Sequence, residues 1–166
     1  MATPQGTIRV CRDCGTATFQ VVGWGRMYQS MPLRRLGEKL LTEGIESLRV
    51  DLRHCTYIDS TFLGTLLTLK RFSKKANQAQ FVLVSPSAEC CRLFHQMGVE
   101  DCLPAISAPE AAGEWTQLPC EPEDVDAFNR NVIQAHQELA NLGGTAGQTF
   151  QAVARCLEKD CHDKIT

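Results

Sequence analysis

The chain has 166 residues, of which 43% are hydrophobic and 22% charged, as is typical of a globular protein. Its formal net charge of −2 gives no electrostatic argument for binding nucleic acid or an anionic membrane. No apolar run approaches the roughly 20 residues that span a bilayer, and no signal-peptide core follows Met1. We therefore expect a cytoplasmic protein with one compact domain and an appendage.

Strand and helix patterns alternate through residues 7–106, which predicts an α/β layer structure with a mixed sheet of about four to five strands. Asp13-Cys14-Gly15 separates the first two strands and predicts a hairpin turn. Ser30 followed by Pro32 predicts the start of the first helix. In chain order, we predict strands at 7–11 and 16–22, a helix at 32–43, a strand at 48–52, a helix from Asp59 to about Lys75, a strand at 80–85, a helix at 86–97 and a strand at 103–106.

The junction between the 48–52 strand and the next helix carries Asp59-Ser60-Thr61. Asp is a preferred N-cap residue, because its carboxylate accepts backbone N–H groups that the first helical turn leaves unpaired. Ser60 then falls at the first helical position, beside the positive end of the helix dipole. A phosphate there would be electrostatically favourable and would add roughly −1.5 to −2 charges. The same sequence is also an ordinary helix cap, so on its own it leaves a purely structural role open.

Residues 57–64 read Tyr57-Ile58-Asp59-Ser60-Thr61-Phe62-Leu63-Gly64. This segment resembles the Asp-Ser-Ser/Thr-Gly-Leu-Gly signature of the STAS family, the anti-sigma-factor antagonists of bacteria, and the order of elements over about 7–106 is similar as well. The resemblance implies that Ser60 is the phosphorylated residue and that the chain has no enzymatic activity. We also predict no cofactor. It also implies two partners, an anti-sigma factor that is a serine kinase and a separate PP2C-type phosphatase.

The chain departs from the family pattern at two places. Phe62 stands where the family usually has Gly, and we predict that its ring is buried or partly buried, the alternative being an exposed anchor for a partner. The loop before the first helix usually carries an Asp, where this chain has Tyr28 or Arg26. These departures favour an alternative function, a scaffold or sensor module in which Ser60 is not a switch. The predicted partner-binding residues are Tyr28, Ser30, Asp59, Ser60, Thr61 and Phe62.

The composition changes at Ser107. Residues 107–121 are rich in Ala, Pro, Gly and Glu, which predicts a linker. Residues 122–166 carry two amphipathic helical patterns separated by Gly143 and Gly144, which predicts a C-terminal helical hairpin. Two narrow apolar stripes cannot form a core alone. The hairpin is therefore expected to pack either on its own domain or on a second copy in a homodimer, and the sequence leaves both open.

The nine cysteines include one C-x-x-C pair, Cys11 and Cys14, and Cys161-His162 lies near the C-terminus. A structural zinc site usually needs two such pairs, so we predict no metal site, and a redox or metal-binding protein remains a third alternative. An enzyme is the least expected class, because the sequence shows neither a nucleophile–base pair nor a glycine-rich phosphate loop.

Overall fold

The computed structural model describes residues 6–120 and 124–163, without the side chains of 153, 157 and 160–163. The elements are β1 (Gly6–Asp13), β2 (Thr16–Gly25), α1 (Met27–Thr42), β3 (Ser47–Ile58), α2 (Ser60–Lys75), β4 (Gln80–Val84), α3 (Ala88–Met97), β5 (Ala105–Ile106), β6 (Trp115–Gln117), α4 (Val125–Ala140) and α5 (Gly144–Asp163). The strands form a mixed sheet with the order β5-β4-β3-β2-β1-β6, in which β2 to β5 are parallel and β1 is antiparallel to both its neighbours. The predicted fold class is confirmed.

Strands β1 and β2 form the predicted hairpin. Asp13 pairs with Thr16, and the two residues between them have positive φ angles, 41° at Cys14 and 81° at Gly15. The two-residue turns whose twist matches that of a hairpin require a positive φ at both central positions. The predicted hairpin turn is confirmed.

Strand β3 is longer than the predicted strand at 48–52, since it continues to Ile58. Its first part is buried in the core through Leu48, Val50 and Leu52. Beyond these residues the pairing with β2 shifts at two irregular positions, so the alternation of apolar and polar residues is interrupted. The extension carries the chain to Asp59, at the end of the sheet where α2 begins.

Helix α1 begins at Met27, five residues before the predicted start, so the prediction from Ser30 and Pro32 was wrong. The Gln29 side chain accepts a hydrogen bond from the Arg26 backbone N–H at 2.8 Å, which closes the first turn. Pro32 lies inside the helix, where its missing N–H leaves the carbonyl of Tyr28 without its usual helical partner. This loss falls close to the N-terminal end, where it interrupts little of the helix.

Of the segment predicted as a linker, 107–121, the described residues 107–120 cross one face of the sheet from β5 at one edge to β6 at the other. Arg53 donates to the carbonyl of Ala108 at 2.8 Å, and Glu110 accepts from Gln20 at 2.6 Å and from Arg9 at 3.0 Å. Residues 115–117 then pair with β1 as the sixth strand. The stretch predicted as a linker therefore contains a short strand, and its central part is tied to the sheet by side chains.

The C-terminal hairpin packs on the domain of its own chain. Helix α4 lies against α2, with a smaller contact to α1, and α5 packs on α4. Leu139 is fully buried within the main core cluster, and Phe150 packs against it. Of the two arrangements left open by the sequence, the structure therefore has packing on the same chain.

Candidate functional site

Asp59 joins the starts of two helices. Its Oδ1 accepts the backbone N–H of Phe62 in α2, and its Oδ2 accepts that of Met27 in α1, both at 2.8 Å. The backbone N–H of Asp59 donates to the carbonyl of Gly25 at 3.0 Å. The predicted N-cap is confirmed, and the same carboxylate also fixes α1, which sequence analysis did not predict.

Ser60 is the first residue of α2, and it is half-buried. Its Oγ lies 3.0 Å from Nε2 of His136 on α4, and Nδ1 of His136 lies 2.8 Å from the carbonyl oxygen of Val132. A carbonyl oxygen only accepts, so Nδ1 carries the proton in the neutral ring and Nε2 is an acceptor. In this arrangement the Ser60 hydroxyl donates to His136, which is only 6% exposed.

A serine hydroxyl that donates to an imidazole is the first half of an activated nucleophile. Here the position of the third group is taken by the carbonyl of Val132, which orients the ring but carries no negative charge to stabilise an imidazolium. His136 was not among the residues predicted from sequence. It lies 76 residues from Ser60, and no motif in the chain links the two positions.

The other predicted partner-binding residues are divided between surface and core. Tyr28 is 59% exposed and stacks on Phe128 of α4, with the ring centroids 5.9 Å apart. Ser30, Thr61 and Phe62 are buried. The burial predicted for Phe62 is confirmed. That these three side chains bind a partner stays a prediction, and their burial in this conformation does not favour it.

The outer face of α2 is covered by α4. A Cβ atom on residue 64 would lie 2.1 Å from the carbonyl oxygen of Ala135, so the two helices approach at backbone distance at Gly64. The Ser60–His136 pair lies at one end of this crossing. Nearer the other end, Arg71 forms an ion pair with Glu138. The candidate switch residue is therefore part of an interface within the chain.

A group of aromatic side chains lies next to Asp59, at the ends of β2 and β3. Trp24 and Tyr57 are 36% and 39% exposed and meet edge to face, with centroids 6.3 Å apart. The guanidinium of Arg26 lies 4.1 Å from the centroid of the Trp24 ring and 5.9 Å from that of Tyr57. This arrangement holds apolar surface and a positive charge beside the start of α2.

The C-x-x-C cysteines lie on the β1–β2 hairpin, where Cys11 is buried and Cys14 is exposed. A hydrogen bond with Asp13 and the charge of Asp13 raise the pKa of the Cys14 thiol, which disfavours a reactive thiolate. Within residues 6–120 and 124–163, no group of three or more His, Cys, Asp or Glu side chains is arranged to hold a metal ion. The side chains of Cys161 and His162 lie outside the described residues.

Over the described part of the chain, no helix has both the length and the apolar character needed to cross a bilayer. No match to the chain is found among curated proteins.

Solved structures share the fold. Unphosphorylated SpoIIAA, an anti-sigma factor antagonist, matches with a TM-score of 0.55 at 14% identity, over 62% of this chain and 89% of its own. Phosphorylated SpoIIAA, a Bacillus cell fate determinant, matches with a TM-score of 0.52 at 15% identity, over 62% and 92%. An anti-sigma factor antagonist from Mycobacterium paratuberculosis matches with a TM-score of 0.52 at 19% identity, over 63% and 89%.

A family model also matches the sequence. The model described as "Mlab, STAS domain" covers residues 12–105, which is more than half of the chain and extends from the end of β1 to β5. It includes the Asp59-capped start of α2 and ends before β6 and the C-terminal hairpin. The chain therefore belongs to the STAS domain family.

Proposed function

We propose that the chain is an anti-sigma factor antagonist whose binding surface is centred on Ser60 and is switched by phosphorylation of that residue. The observation that carries the proposal is the Asp59-capped start of α2, which holds the Ser60 hydroxyl at the first helical position. The fold is shared with SpoIIAA, which has been solved in unphosphorylated and phosphorylated forms.

The proposed switch is electrostatic. A phosphate on Ser60 would carry roughly −1.5 to −2 charges at the N-terminus of α2, where the helix dipole and unpaired N–H groups favour an anion. The modified domain would therefore stay folded. A protein partner docked over Ser60 would have to desolvate that charge, which is costly without a matching cation. Phosphorylation would release the partner for this reason.

The proposed partner is an anti-sigma factor that is also the serine kinase, and a PP2C-type phosphatase would reverse the modification. In this proposal the chain itself catalyses nothing and acts in the cytoplasm. Trp24, Tyr57 and Tyr28 supply exposed aromatic surface on the elements that meet at Asp59. Aromatic side chains of this kind often contribute most of the binding energy at a protein interface.

The test is phosphosite mapping combined with binding. Three proteins serve as baits in extracts of the source cells: the wild-type chain, Ser60→Ala and Ser60→Asp. The captured kinase is then used to modify each of these chains. Ser107 is exposed, so Ser107→Ala and Ser107→Asp are matched controls. We expect phosphate on Ser60 alone, and loss of the captured kinase with Ser60→Asp only. Phosphate confined to another residue would contradict the proposal.

A second candidate function is a STAS scaffold or sensor module without a switch. The observation that favours it is the coverage of Ser60, whose hydroxyl is already bonded to a buried histidine of α4. In that case Ser60→Ala and Ser60→Asp would bind the same partners equally well, and no phosphate would be found on Ser60.

A further inference from the structure

We infer that the C-terminal hairpin is an intramolecular competitor of the protein partner. In this inference α4 occupies a helix-binding face on α1 and α2, and it must leave before a kinase or partner reaches Ser60. The inference deepens the proposed function and rests on it, since Ser60 is the residue to be reached. It also names the kind of partner, an amphipathic helix that resembles α4.

The first evidence is the burial of α2 on all sides. Every residue from Thr61 to Leu69 is buried, so the helix is covered by the sheet on one side and by α4 on the other. The hydroxyls of Thr65 and Thr68 donate to the carbonyls of Thr61 and Gly64 in their own helix, at 2.9 and 3.0 Å. These threonines therefore need no partner from α4, and their polar groups would remain satisfied if α4 left.

The second evidence is the approach at Gly64. Glycine is unfavourable in a helix interior relative to alanine. Here it allows the carbonyl oxygen of Ala135 to come within 2.1 Å of where a Cβ would be. The face is therefore shaped to receive another helix at backbone distance, with a small residue at the crossing.

The third evidence is the set of contacts around this crossing. Tyr28 stacks on Phe128, Arg34 donates to Asn131 at 3.3 Å, and Arg71 pairs with Glu138. Tyr28 and Arg71 remain 59% and 51% exposed while in contact. Contacts made by side chains this exposed contribute little individually, whereas the Glu138 side chain of the ion pair is 10% exposed. The exposed contacts are the ones that a competing helix could exchange.

The contacts of α4 define what a competing helix must present. Phe128 faces Tyr28, Ala135 faces Gly64, and Glu138 faces Arg71. The pattern is an aromatic residue seven positions before a small residue, and an acidic residue three positions after it. We expect the partner to dock a helix with this pattern in place of α4.

The first test measures the accessibility of residue 60 in the full chain. Ser60→Cys is introduced as a reporter, and alkylation of the new thiol by iodoacetamide is followed by peptide mass spectrometry, with the exposed Cys91 as the internal reference. Gly64→Ala and Arg71→Glu are the variants expected to open the hairpin. Lys74→Glu is the matched control, because it makes the same charge change at an exposed position of the same helix.

We expect alkylation of the reporter thiol to be about tenfold faster in both opening variants than in the protein that carries Ser60→Cys alone. With Lys74→Glu, the rate should stay near that of Ser60→Cys alone. It should be slow again when Glu138→Arg is added to Arg71→Glu. Hydrogen exchange should show loss of protection in 125–140 and unchanged protection in β3 and β4. If the reporter thiol reacts as fast as the exposed Cys91 before any opening change, or if α4 loses protection without faster alkylation, the hairpin does not cover Ser60.

The second test asks whether the face binds a helix in trans. The probe is a fluorescent peptide with the sequence of residues 124–142. We expect it to bind Glu138→Arg, in which the hairpin is opened and the face is intact. It should bind neither the wild type, where the face is occupied, nor Gly64→Ala/Glu138→Arg, where the face is blocked. Equal binding to all three proteins, or to none, would overturn the inference.

Neither test uses a kinase or an anti-sigma factor. If both succeed while Ser60 is never phosphorylated, the helix-binding face stands and the proposed switch fails. If instead the captured kinase modifies the wild type and Glu138→Arg, in which the face is intact, at the same rate, the switch stands and the competing role of the hairpin fails.

Discussion

The imidazole of His136 on α4 lies 3.0 Å from the hydroxyl oxygen of Ser60 on α2, so the candidate switch residue is bonded to the C-terminal hairpin. A phosphate on Ser60 would remove the proton that the hydroxyl donates and would turn negative oxygens towards the lone pair of Nε2. The present hydrogen bond between the Ser60 hydroxyl and the ring would then be lost. A chemical change at Ser60 is therefore expected to alter the docking of α4 as well as the binding of a partner.

The first prediction concerns His136. We expect His136→Ala to increase the rate at which the captured kinase phosphorylates Ser60, because the hydroxyl is released and α4 loses a buried contact. The lost hydrogen bond should also lower the free energy of unfolding by about 1 kcal/mol. The rate is measured by phosphopeptide mass spectrometry, and the stability by urea unfolding. His95→Ala is the control, because the His95 side chain is 80% exposed. A His136→Ala rate at or below the wild-type rate would refute this prediction.

The second prediction concerns Asp59, which caps α2 and also accepts the N–H of Met27. A lost N-cap alone costs about 0.5–2 kcal/mol, and the second orphaned N–H adds to it. We expect Asp59→Ala to be destabilised by about 2–3 kcal/mol, and Asp59→Asn by less, since the amide oxygen still accepts one bond. Urea unfolding measures both, with Asp101→Asn as the exposed control. Equal stability of Asp59→Ala and wild type would show that the cap is not needed.

The third prediction concerns pH and Glu110. The hydrogen bond from Gln20, together with the charges of Arg9, His54 and Arg53, lowers the pKa of Glu110 against a smaller opposing effect of burial. A lowered pKa in the folded state means that the ionised form stabilises the fold above the unfolded-state pKa. This contribution is lost as the pH falls through the folded-state pKa.

We therefore expect Glu110→Gln to be less stable than wild type at pH 7, and the difference to shrink as the pH falls below the ordinary range of a glutamate. The measurement is the urea midpoint of both proteins over a pH series. Glu114→Gln, at an exposed position in the same segment, should show a smaller difference at every pH. If the difference in urea midpoint between Glu110→Gln and wild type stays constant with pH, ionisation of the Glu110 carboxylate is not the cause of that difference.

The features predicted correctly from the sequence are those fixed by local signals. The hairpin turn depends on Cys14 and Gly15, and the cap of α2 depends on Asp59. In these two roles each residue acts on backbone groups within a few positions of itself. Such a signal can be recognised in the sequence without knowing how distant residues pack.

The features that were missed depend on distant residues. Helix α1 begins at Met27, whose N–H is accepted by Asp59 in another element. Strand β6 has only three residues and exists because β1 offers an edge to pair with. The Ser60–His136 pair requires α4 to dock on α2, and the amphipathic pattern of α4 alone did not decide between its own domain and a second copy. Docking is set by the shape at Gly64, which a sequence pattern does not display.

The last prediction concerns Phe62, the residue that departs from the family pattern. Its side chain is fully buried in the core cluster, and a Cβ atom on Gly25 would lie 3.0 Å from its ring. We expect Phe62→Ala to lower the free energy of unfolding by about 3–5 kcal/mol, since truncation of a buried aromatic ring loses its transfer energy and leaves a cavity. Phe62→Leu should cost less, because it fills part of that space.

Val125→Ala, at a position that is 69% exposed, should stay within about 0.5 kcal/mol of wild type. Urea unfolding of all three variants makes the comparison. An unfolding midpoint of Phe62→Ala equal to that of Val125→Ala would show that the ring does not contribute to the core, and the interpretation of Phe62 as an exposed anchor for a partner would then be favoured.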